Sequence, residues 1–192
     1  MKQNLFLAVS FFSILSFNAS AQKDSSGIYK TAADFQQGKL SYAINYKTEK
    51  HKIKDNLLFN ESEIKVKHEG TAYTLKKADT YGYRDTKGVD YRFVENKVYR
   101  ILSKGDGLIL YVYQSPTGST KGSIKYVSQY YFTKDIASAP QVLTKETLKT
   151  AFPGNHKFHD AIDATFKEDK DLAAYDSFHK MYKINHILSV NK

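Results

Sequence analysis

The sequence has no cysteine, no tryptophan and only three prolines among its 192 residues. The absence of cysteine excludes disulfide bonds, thiolate metal sites and thiol nucleophiles. A secreted eukaryotic domain of this size usually carries disulfides, so a cysteine-free exported chain would be bacterial. A chain of this length can bury roughly 70% of the surface of its unfolded form, enough for one ordinary core. We therefore expect a single domain.

Local catalytic motifs are missing as well. The sequence contains no HExxH, no P-loop, no GxSxG elbow and no EF-hand loop. A Ser/His/Asp triad built from distant residues remains an alternative, because such a triad is defined by geometry and not by sequence position. We expect a protein without a cofactor that binds instead of catalysing a reaction.

The longest hydrophobic run lies near the first residue. Lys2 precedes the 13-residue run LFLAVSFFSILSF at 5–17, and the small-residue sequence NASA follows at 18–21. This arrangement is typical of a secretory signal peptide, and the run is shorter than the about 20 residues of a membrane-spanning helix. We expect cleavage near Ala21 and a single exported domain over 22–192, periplasmic or secreted and not membrane-spanning.

The formal net charge is +9, and the surplus is uneven. Residues 22–143 hold 20 Lys or Arg against 13 Asp or Glu, whereas 144–192 hold 8 against 7. Basic proteins attract polyanions. For an exported protein we expect an anionic glycan, a lipid headgroup or an envelope protein as the partner, and no nucleic acid. The alternative is a lysine-rich surface that is simply solvated.

Apolar and polar residues alternate along much of 40–133, the period of a half-buried strand. Glu63–His68 and Thr71–Lys76 flank Glu69 and Gly70 and predict a hairpin. Leu108–Tyr113 is apolar at every position except for its tyrosine hydroxyls, which predicts a strand covered on both faces. About eight strands with short connections predict an antiparallel β-meander, as a curved sheet or a small barrel.

Helical signals lie at the two ends of this β region, which covers most of 22–143. Thr31 is a suitable N-cap for a short helix at 32–37. Beyond Thr144, the spacing predicts three helices at 145–151, 155–167 and 170–189, and the last is long and amphipathic. We expect an α+β fold in which the C-terminal helices pack on the sheet over Leu108–Tyr113.

The three arginines of the chain are eight residues apart, and each follows a tyrosine. The pairs are Tyr83 and Arg84, Tyr91 and Arg92, and Tyr99 and Arg100. If the loops at 86–88 and 95–97 both have three residues, the arginines share one face of the sheet and the tyrosines share the other. If either loop has two residues, the stripe is broken.

An arginine stripe is a candidate anion-binding surface, because guanidinium forks match carboxylate, phosphate and sulfate. We therefore take Arg84, Arg92 and Arg100, with their preceding tyrosines, as candidate ligand-binding residues. The alternative is that Arg84 pairs with Asp90 and that the other arginines pair with carboxylates of the covering helices.

Two further sets lie in the helical part. His156, His159, Asp160 and Asp163 are spaced to share one side of a helix, so they could bind a transition metal. Helical angles place this set on the solvent face, opposite the apolar residues, which favours a solvated helix surface. A second row, at positions 175, 179, 182 and 186, alternates tyrosine and histidine and borders the apolar side of the last predicted helix.

Several segments resemble a group of small exported bacterial proteins of uncharacterised function. They are GIYKTAADFQQGKLSY at 27–42, TEKHKIK at 48–54, YGYRD at 81–85 and YYFTKDI at 130–136. The resemblance implies no activity. Size, signal peptide and strand number are also similar to those of lipocalins, but without tryptophan the chain lacks the lipocalin Gly-x-Trp, and it has several C-terminal helices.

The leading hypothesis is a non-catalytic exported protein that binds an anionic small molecule, glycan or envelope partner on a Tyr/Arg-rich sheet. The first alternative is a structural or interaction module whose arginines are paired internally. The second is a metal-dependent hydrolase that uses His156 and His159.

Overall fold

The structure of the protein is a computed structural model, which describes residues 25–49, 52–54, 61–120 and 123–192. The signal peptide predicted at 1–21 lies outside these residues. In the described part, no helix is both long enough and apolar enough to cross a membrane.

Antiparallel β-structure dominates the molecule. In chain order, the strands are β1 (Ser25–Tyr29), β2 (Ser41–Asn45), β3 (Lys52–Lys54), β4 (Glu63–His68), β5 (Thr71–Lys76), β6 (Gly82–Arg84), β7 (Asp90–Val94), β8 (Lys97–Gly105), β9 (Leu108–Thr120), β10 (Ser123–Thr133), β11 (Gln141–Val142), β12 (Tyr175–Asp176) and β13 (Met181–Tyr182). The helices are α1 (Ala32–Gln37), α2 (Lys145–Ala151), α3 (His156–Thr165) and α4 (Lys183–Val190). A mixed α+β fold is therefore confirmed.

The central sheet has eight strands in the order β11-β10-β9-β8-β7-β6-β1-β2. From β6 to β11 each strand pairs with the next one in the chain, which is the predicted meander. β1 and β2 extend the β6 edge, and the chain between β2 and β6 forms the small sheet β3-β4-β5. Because β11 and β2 are free edges, the sheet is open, and the small-barrel alternative is wrong.

Helix α1 begins at a capping box. The Thr31 hydroxyl accepts a hydrogen bond from the Asp34 N–H, and the Asp34 carboxylate accepts one from the Thr31 N–H. These bonds satisfy two N–H groups that the helix itself leaves unpaired. The helix places Phe35 against the rings of Tyr29 and Tyr81, with centroids 5.2 and 5.0 Å away.

The two faces of the central sheet are buried differently. One face, here called face A, carries a cluster that includes Phe35, Tyr99 and Tyr111. The other, face B, is covered in one part by the C-terminal helices and in another by the small sheet. In β9, Leu108 and Leu110 lie in the cluster of the helices, whereas Ile109 and Tyr111 lie in the cluster of face A. The prediction that Leu108–Tyr113 is covered on both sides is confirmed for 108–112, all of which are buried.

The predicted long helix over 170–189 is wrong. The segment instead contains a 3-10 helix at Asp169–Ala173, the two-stranded β12-β13 ladder and α4. Asp176 is the reason: its carboxylate accepts hydrogen bonds from the N–H groups of Phe178 and His179, which favours a turn over a helix. Lys180, with φ 53°, completes the turn.

The short helix α4 is held on face B by Asn185. Its amide donates to the Leu108 carbonyl at 2.7 Å and accepts from the Ser103 hydroxyl at 2.8 Å. A Cβ on Gly105 would lie only 2.1 Å from the Asn185 amide nitrogen, so this approach requires glycine. The row at 175, 179, 182 and 186 is therefore not one helical stripe. Its rings meet in two pairs, Tyr175 with Tyr182 and His179 with His186.

Candidate functional site

The length of one hairpin loop decides where the arginines lie. Between β7 and β8, Val94 pairs with Lys97, so the loop consists of Glu95 and Asn96 alone. Glu95 has φ 56°, the left-handed conformation that a two-residue hairpin loop requires at its first position. An even-numbered loop exchanges the faces of odd and even residues. The predicted stripe of three arginines is therefore broken at Arg100.

The other loop has the predicted length. Arg84 pairs with Asp90, and the Asp85 N–H donates to the Val89 carbonyl at 2.9 Å, leaving three residues between them. Residues 84, 90 and 92 consequently share face A. Arg100 lies on face B, where it pairs across the strands with Tyr91 on one side and Val112 on the other.

Arg84 is paired inside the fold. Its Nε and Nη2 donate to the two carboxylate oxygens of Asp90 at 2.8 and 3.1 Å. Asp90 also accepts from the Tyr29 hydroxyl at 2.9 Å and forms an ion pair with Lys104 at 2.7 Å. Burial alone would raise the pKa of Asp90, but the hydrogen bonds from Arg84 and Lys104 outweigh it and hold the pKa below its ordinary value. The expected Arg84–Asp90 pair is present.

Arg92 is buried on face A. Its Nη1 donates to the Tyr111 hydroxyl and its Nη2 to the Ala137 carbonyl, both at 3.1 Å. The expected pairing with a carboxylate of a covering helix is not found for Arg92. Its partners are a phenol and a backbone carbonyl.

Arg100 is exposed at the floor of a cavity on face B. The cavity has a volume of about 350 Å³, within the range of small-molecule sites. Its lining residues are Tyr91, Val98, Arg100, Val112, Tyr113, Gln114 and Tyr126. In the part of the chain that the structure describes, Arg100 makes no ion pair and no hydrogen bond through its side chain.

Tyr91 forms a fixed wall of this cavity. Its ring stacks on Tyr83 with centroids 4.7 Å apart and 8° between planes, and its hydroxyl donates to Asp85 at 3.3 Å. Burial, and then the Asp85 charge, raise the pKa of Tyr91, although Arg100 acts in the opposite direction. The phenol therefore stays neutral at physiological pH and offers an aromatic surface beside a cation.

The cavity lies between the two coverings of face B. Tyr91 and Val98 belong to the cluster beneath the small sheet. On the other side, burial raises the pKa of Tyr182 of β13, and Arg100 is close enough to act in the opposite direction. In the described ranges, neither the small sheet nor the helices close over Arg100, so its guanidinium has apolar and aromatic neighbours and is still exposed to solvent.

The remaining predicted tyrosines do not line the cavity. Tyr83 and Tyr99 are buried, in the clusters of face B and face A respectively. Among the lining residues, Val98, Val112, Gln114 and Tyr126 were not in the predicted site. Val98 shares a face with Arg100 because the two residues are two positions apart in β8, and the β8-β9-β10 register adds Val112, Gln114 and Tyr126. Only Tyr91 of β7 requires the two-residue loop at 95–96 to lie on this face.

The predicted metal set is dispersed over α3. Asp163 forms ion pairs with Lys149 and Lys145, and the His159 Nε2 is 2.9 Å from the Phe152 carbonyl oxygen. His156 and Asp160 are exposed. Among the residues that the structure describes, no group of three or more histidine or acidic side chains is arranged to hold a metal ion.

Among the described residues, the cavity is lined by groups for recognition and by none of the usual groups for catalysis. Its polar side-chain groups are the Arg100 guanidinium, the phenols of Tyr91 and Tyr126 and the Gln114 carboxamide, and no described histidine, serine or carboxylate lines it. The ring of Tyr113 packs against Tyr99 on face A. A guanidinium can bind an oxyanion through two parallel hydrogen bonds, and the aromatic walls can bind an apolar body. No family model, no curated protein and no solved structure matches the chain.

Proposed function

We propose that this is an exported, non-catalytic binding protein that holds an amphipathic anion in the Arg100 cavity. The ligand has one acidic group, a carboxylate, sulfate or phosphate, on an aliphatic or aromatic body. The observation that carries the proposal is Arg100, an arginine without a protein partner in the described residues, on the floor of a cavity with aromatic and apolar walls.

The chemistry of the cavity selects for both parts of such a ligand. Arg100 supplies the positive charge, and Val98, Val112 and Tyr91 supply apolar surface that a simple ion would not use. A charged hydrogen bond contributes about 1.5–3 kcal/mol, and apolar burial adds about 25 cal/mol per Å². A small ion without an apolar body should therefore bind weakly here.

A fluorescence titration tests the proposal directly. The probe is 8-anilinonaphthalene-1-sulfonate, an aromatic sulfonate, and its displacement is measured with octanoate, octanol and acetate. Octanoate should compete best, because octanol lacks the charge and acetate lacks the apolar body. Phosphorylated and uronic-acid sugars in the same assay distinguish a glycan acid from a lipid-like acid.

Two variants locate the binding. Arg100→Gln should weaken octanoate binding roughly 10- to 100-fold, which corresponds to one lost charged hydrogen bond. Lys87→Gln removes the same charge from an exposed turn and should leave binding unchanged. Equal losses in both variants, or equal competition by acetate and octanoate, would show general charge attraction and contradict the proposed site.

A further inference from the structure

A second cationic side chain lies on the opposite face of the sheet and is not used by the Arg100 cavity. Arg92 is only 5% exposed. A guanidinium has five N–H groups, of which Tyr111 and Ala137 accept two. The Nε of Arg92 is buried and has no hydrogen-bond partner in the described part of the chain.

No carboxylate balances this buried charge. Among the described residues, Arg92 forms no ion pair, and the rings of Tyr81 and Tyr111 lie 5.2 and 5.8 Å from its guanidinium carbon. Asp135 is close enough for its pKa to respond to Arg92, but its carboxylate accepts hydrogen bonds from Ala137 and Ser138 instead. Burying a charge costs free energy unless the charge is paired, so a bound anion would stabilise this position.

A cavity of about 360 Å³ adjoins Arg92. Its walls also include Lys77, which is 1% exposed and whose Nζ donates to the Asn96 carbonyl at 3.4 Å. Two carboxylates, Asp79 and Glu95, line it as well, but both residues are exposed. The buried charges at this cavity are therefore positive, and the negative charges lie at its solvent side.

Tyr81 provides a neutral donor at the same cavity. Its hydroxyl is buried and, although Tyr111 lies beside it, makes no hydrogen bond within the described ranges. Burial raises the pKa of Tyr81, with a further contribution from Tyr111, so the hydroxyl keeps its proton. The Tyr81 hydroxyl and the Arg92 Nε–H, both buried and without a hydrogen-bond partner in the described ranges, thus belong to two residues that line one cavity.

We propose that this cavity binds a tetrahedral oxyanion, phosphate or sulfate, with Arg92 and Tyr81 as hydrogen-bond donors. The arginine fork matches two oxygens of such an anion, and the phenol matches a third. The cavity is roughly ten times larger than the ~30 Å³ that a water molecule occupies in the liquid, so the anion could be free or the end of a phosphomonoester. This site is independent of Arg100, because the two arginines lie on opposite faces.

Anion titrations at constant ionic strength test the site. Inorganic phosphate, sulfate and glycerol 3-phosphate are each exchanged against chloride, and binding is measured by calorimetry together with the thermal unfolding midpoint. Phosphate and sulfate should bind and raise the midpoint. Binding of glycerol 3-phosphate at least tenfold tighter than phosphate would identify the phosphomonoester as the ligand, and equal or weaker binding would identify the free anion.

Matched variants separate site binding from the general stabilising effect of phosphate and sulfate on folded proteins. Arg92→Met should abolish the calorimetric signal, whereas Lys87→Met, which removes one positive charge from an exposed turn, should leave it unchanged. Loss of phosphate binding in both variants, or in neither, would overturn the proposal.

Tyr81→Phe keeps the test decisive if Arg92→Met does not fold. It removes only a hydroxyl that has no partner, so the variant should fold, and phosphate affinity should fall roughly fivefold or more through the loss of one neutral hydrogen bond. Unchanged phosphate affinity in Tyr81→Phe would also overturn the site. Octanoate binding at Arg100 is measured separately, so the failure of one site is distinguishable from the failure of the other.

Discussion

Arg92 and Arg100 lie on neighbouring strands in the middle of one sheet, each directly after a tyrosine, yet their environments are opposite. Arg92 is buried on face A between two aromatic rings, and Arg100 is exposed on face B in a cavity. The difference arises from the two residues of the loop at 95–96, because an even-numbered loop reverses the face of every following residue. The same Tyr-Arg dipeptide therefore places its arginine in two different environments.

The same comparison extends to Arg84. It shares face A with Arg92, but it has a buried carboxylate within reach, so its charge is balanced inside the fold. The three arginines thus form a series of one internally paired cation, one buried cation without a carboxylate and one exposed cation in a cavity. We expect the first to stabilise the fold and the other two to bind anions.

The largest effect should come from removing the acid of the internal pair. Asp90 is 8% exposed and holds Arg84, Lys104 and the Tyr29 hydroxyl. Asp90→Asn would leave two cations without their counter-charge, so we expect the free energy of unfolding to fall by about 3 kcal/mol. Urea unfolding at neutral pH measures this loss.

The control for Asp90→Asn is Asp106→Asn. Asp106 is exposed and pairs with the exposed Lys192, and such surface pairs contribute little. If both variants lost the same stability, the distinction between the buried pair and surface pairs would be wrong.

The pH dependence of stability should identify the same carboxylate. Since the pKa of Asp90 is lowered in the folded state, its contribution is present above the unfolded pKa of about 3.9 and is lost as the pH falls below it. The stability gap between the wild-type protein and Asp90→Asn should therefore be constant from neutral pH to about pH 5 and shrink below about pH 4. A gap that stayed constant at low pH would mean that the Asp90 charge does not carry the effect.

The smallest effect concerns the loop that separates the two arginines. Glu95 has φ 56°, which glycine adopts without strain, whereas for other residues this conformation costs about 1–2 kcal/mol. After the greater flexibility of glycine in the unfolded chain is included, Glu95→Gly should raise the free energy of unfolding by about 0.5–1 kcal/mol. Equilibrium unfolding in urea would detect it.

Asn96→Gly serves as the comparison for Glu95→Gly, because Asn96 is not among the residues with positive φ. It should be neutral or slightly destabilising. Stabilisation by Asn96→Gly alone would indicate a different loop conformation, and the assignment of Arg100 to face B would then need revision.

Much of the fold could be predicted from sequence period and turn residues. The apolar pattern of 108–113 predicted that β9 is covered on both faces, and the Glu69-Gly70 turn predicted the β4-β5 hairpin. The open sheet and the β1-β6 pairing could not be predicted, because pairing between distant strands depends on tertiary packing. The prediction of a long terminal helix was wrong because the helical spacing at 170–189 carries no information about the competing hydrogen bonds that Asp176 accepts.

The candidate site was predictable only in part. The residue types predicted a binding site made of arginines and neighbouring tyrosines, and Tyr91 and Arg100 do line one cavity. Their arrangement depended on whether the loop after Val94 has two or three residues, and the sequence Glu95-Asn96-Lys97 fits both. Val112 and Tyr126 of the cavity come from other strands, so only the register could place them beside Arg100.

The most direct test of the two-faced arrangement is a side-chain NMR titration, because the chain has only three arginines and therefore three Nε–H signals, each assignable with one variant. Octanoate should shift the Arg100 signal alone, phosphate should shift the Arg92 signal alone, and the Arg84 signal should respond to neither. If one ligand shifted the Arg92 and Arg100 signals together, or if Arg84 responded most, the division of the arginines between the two faces would be contradicted.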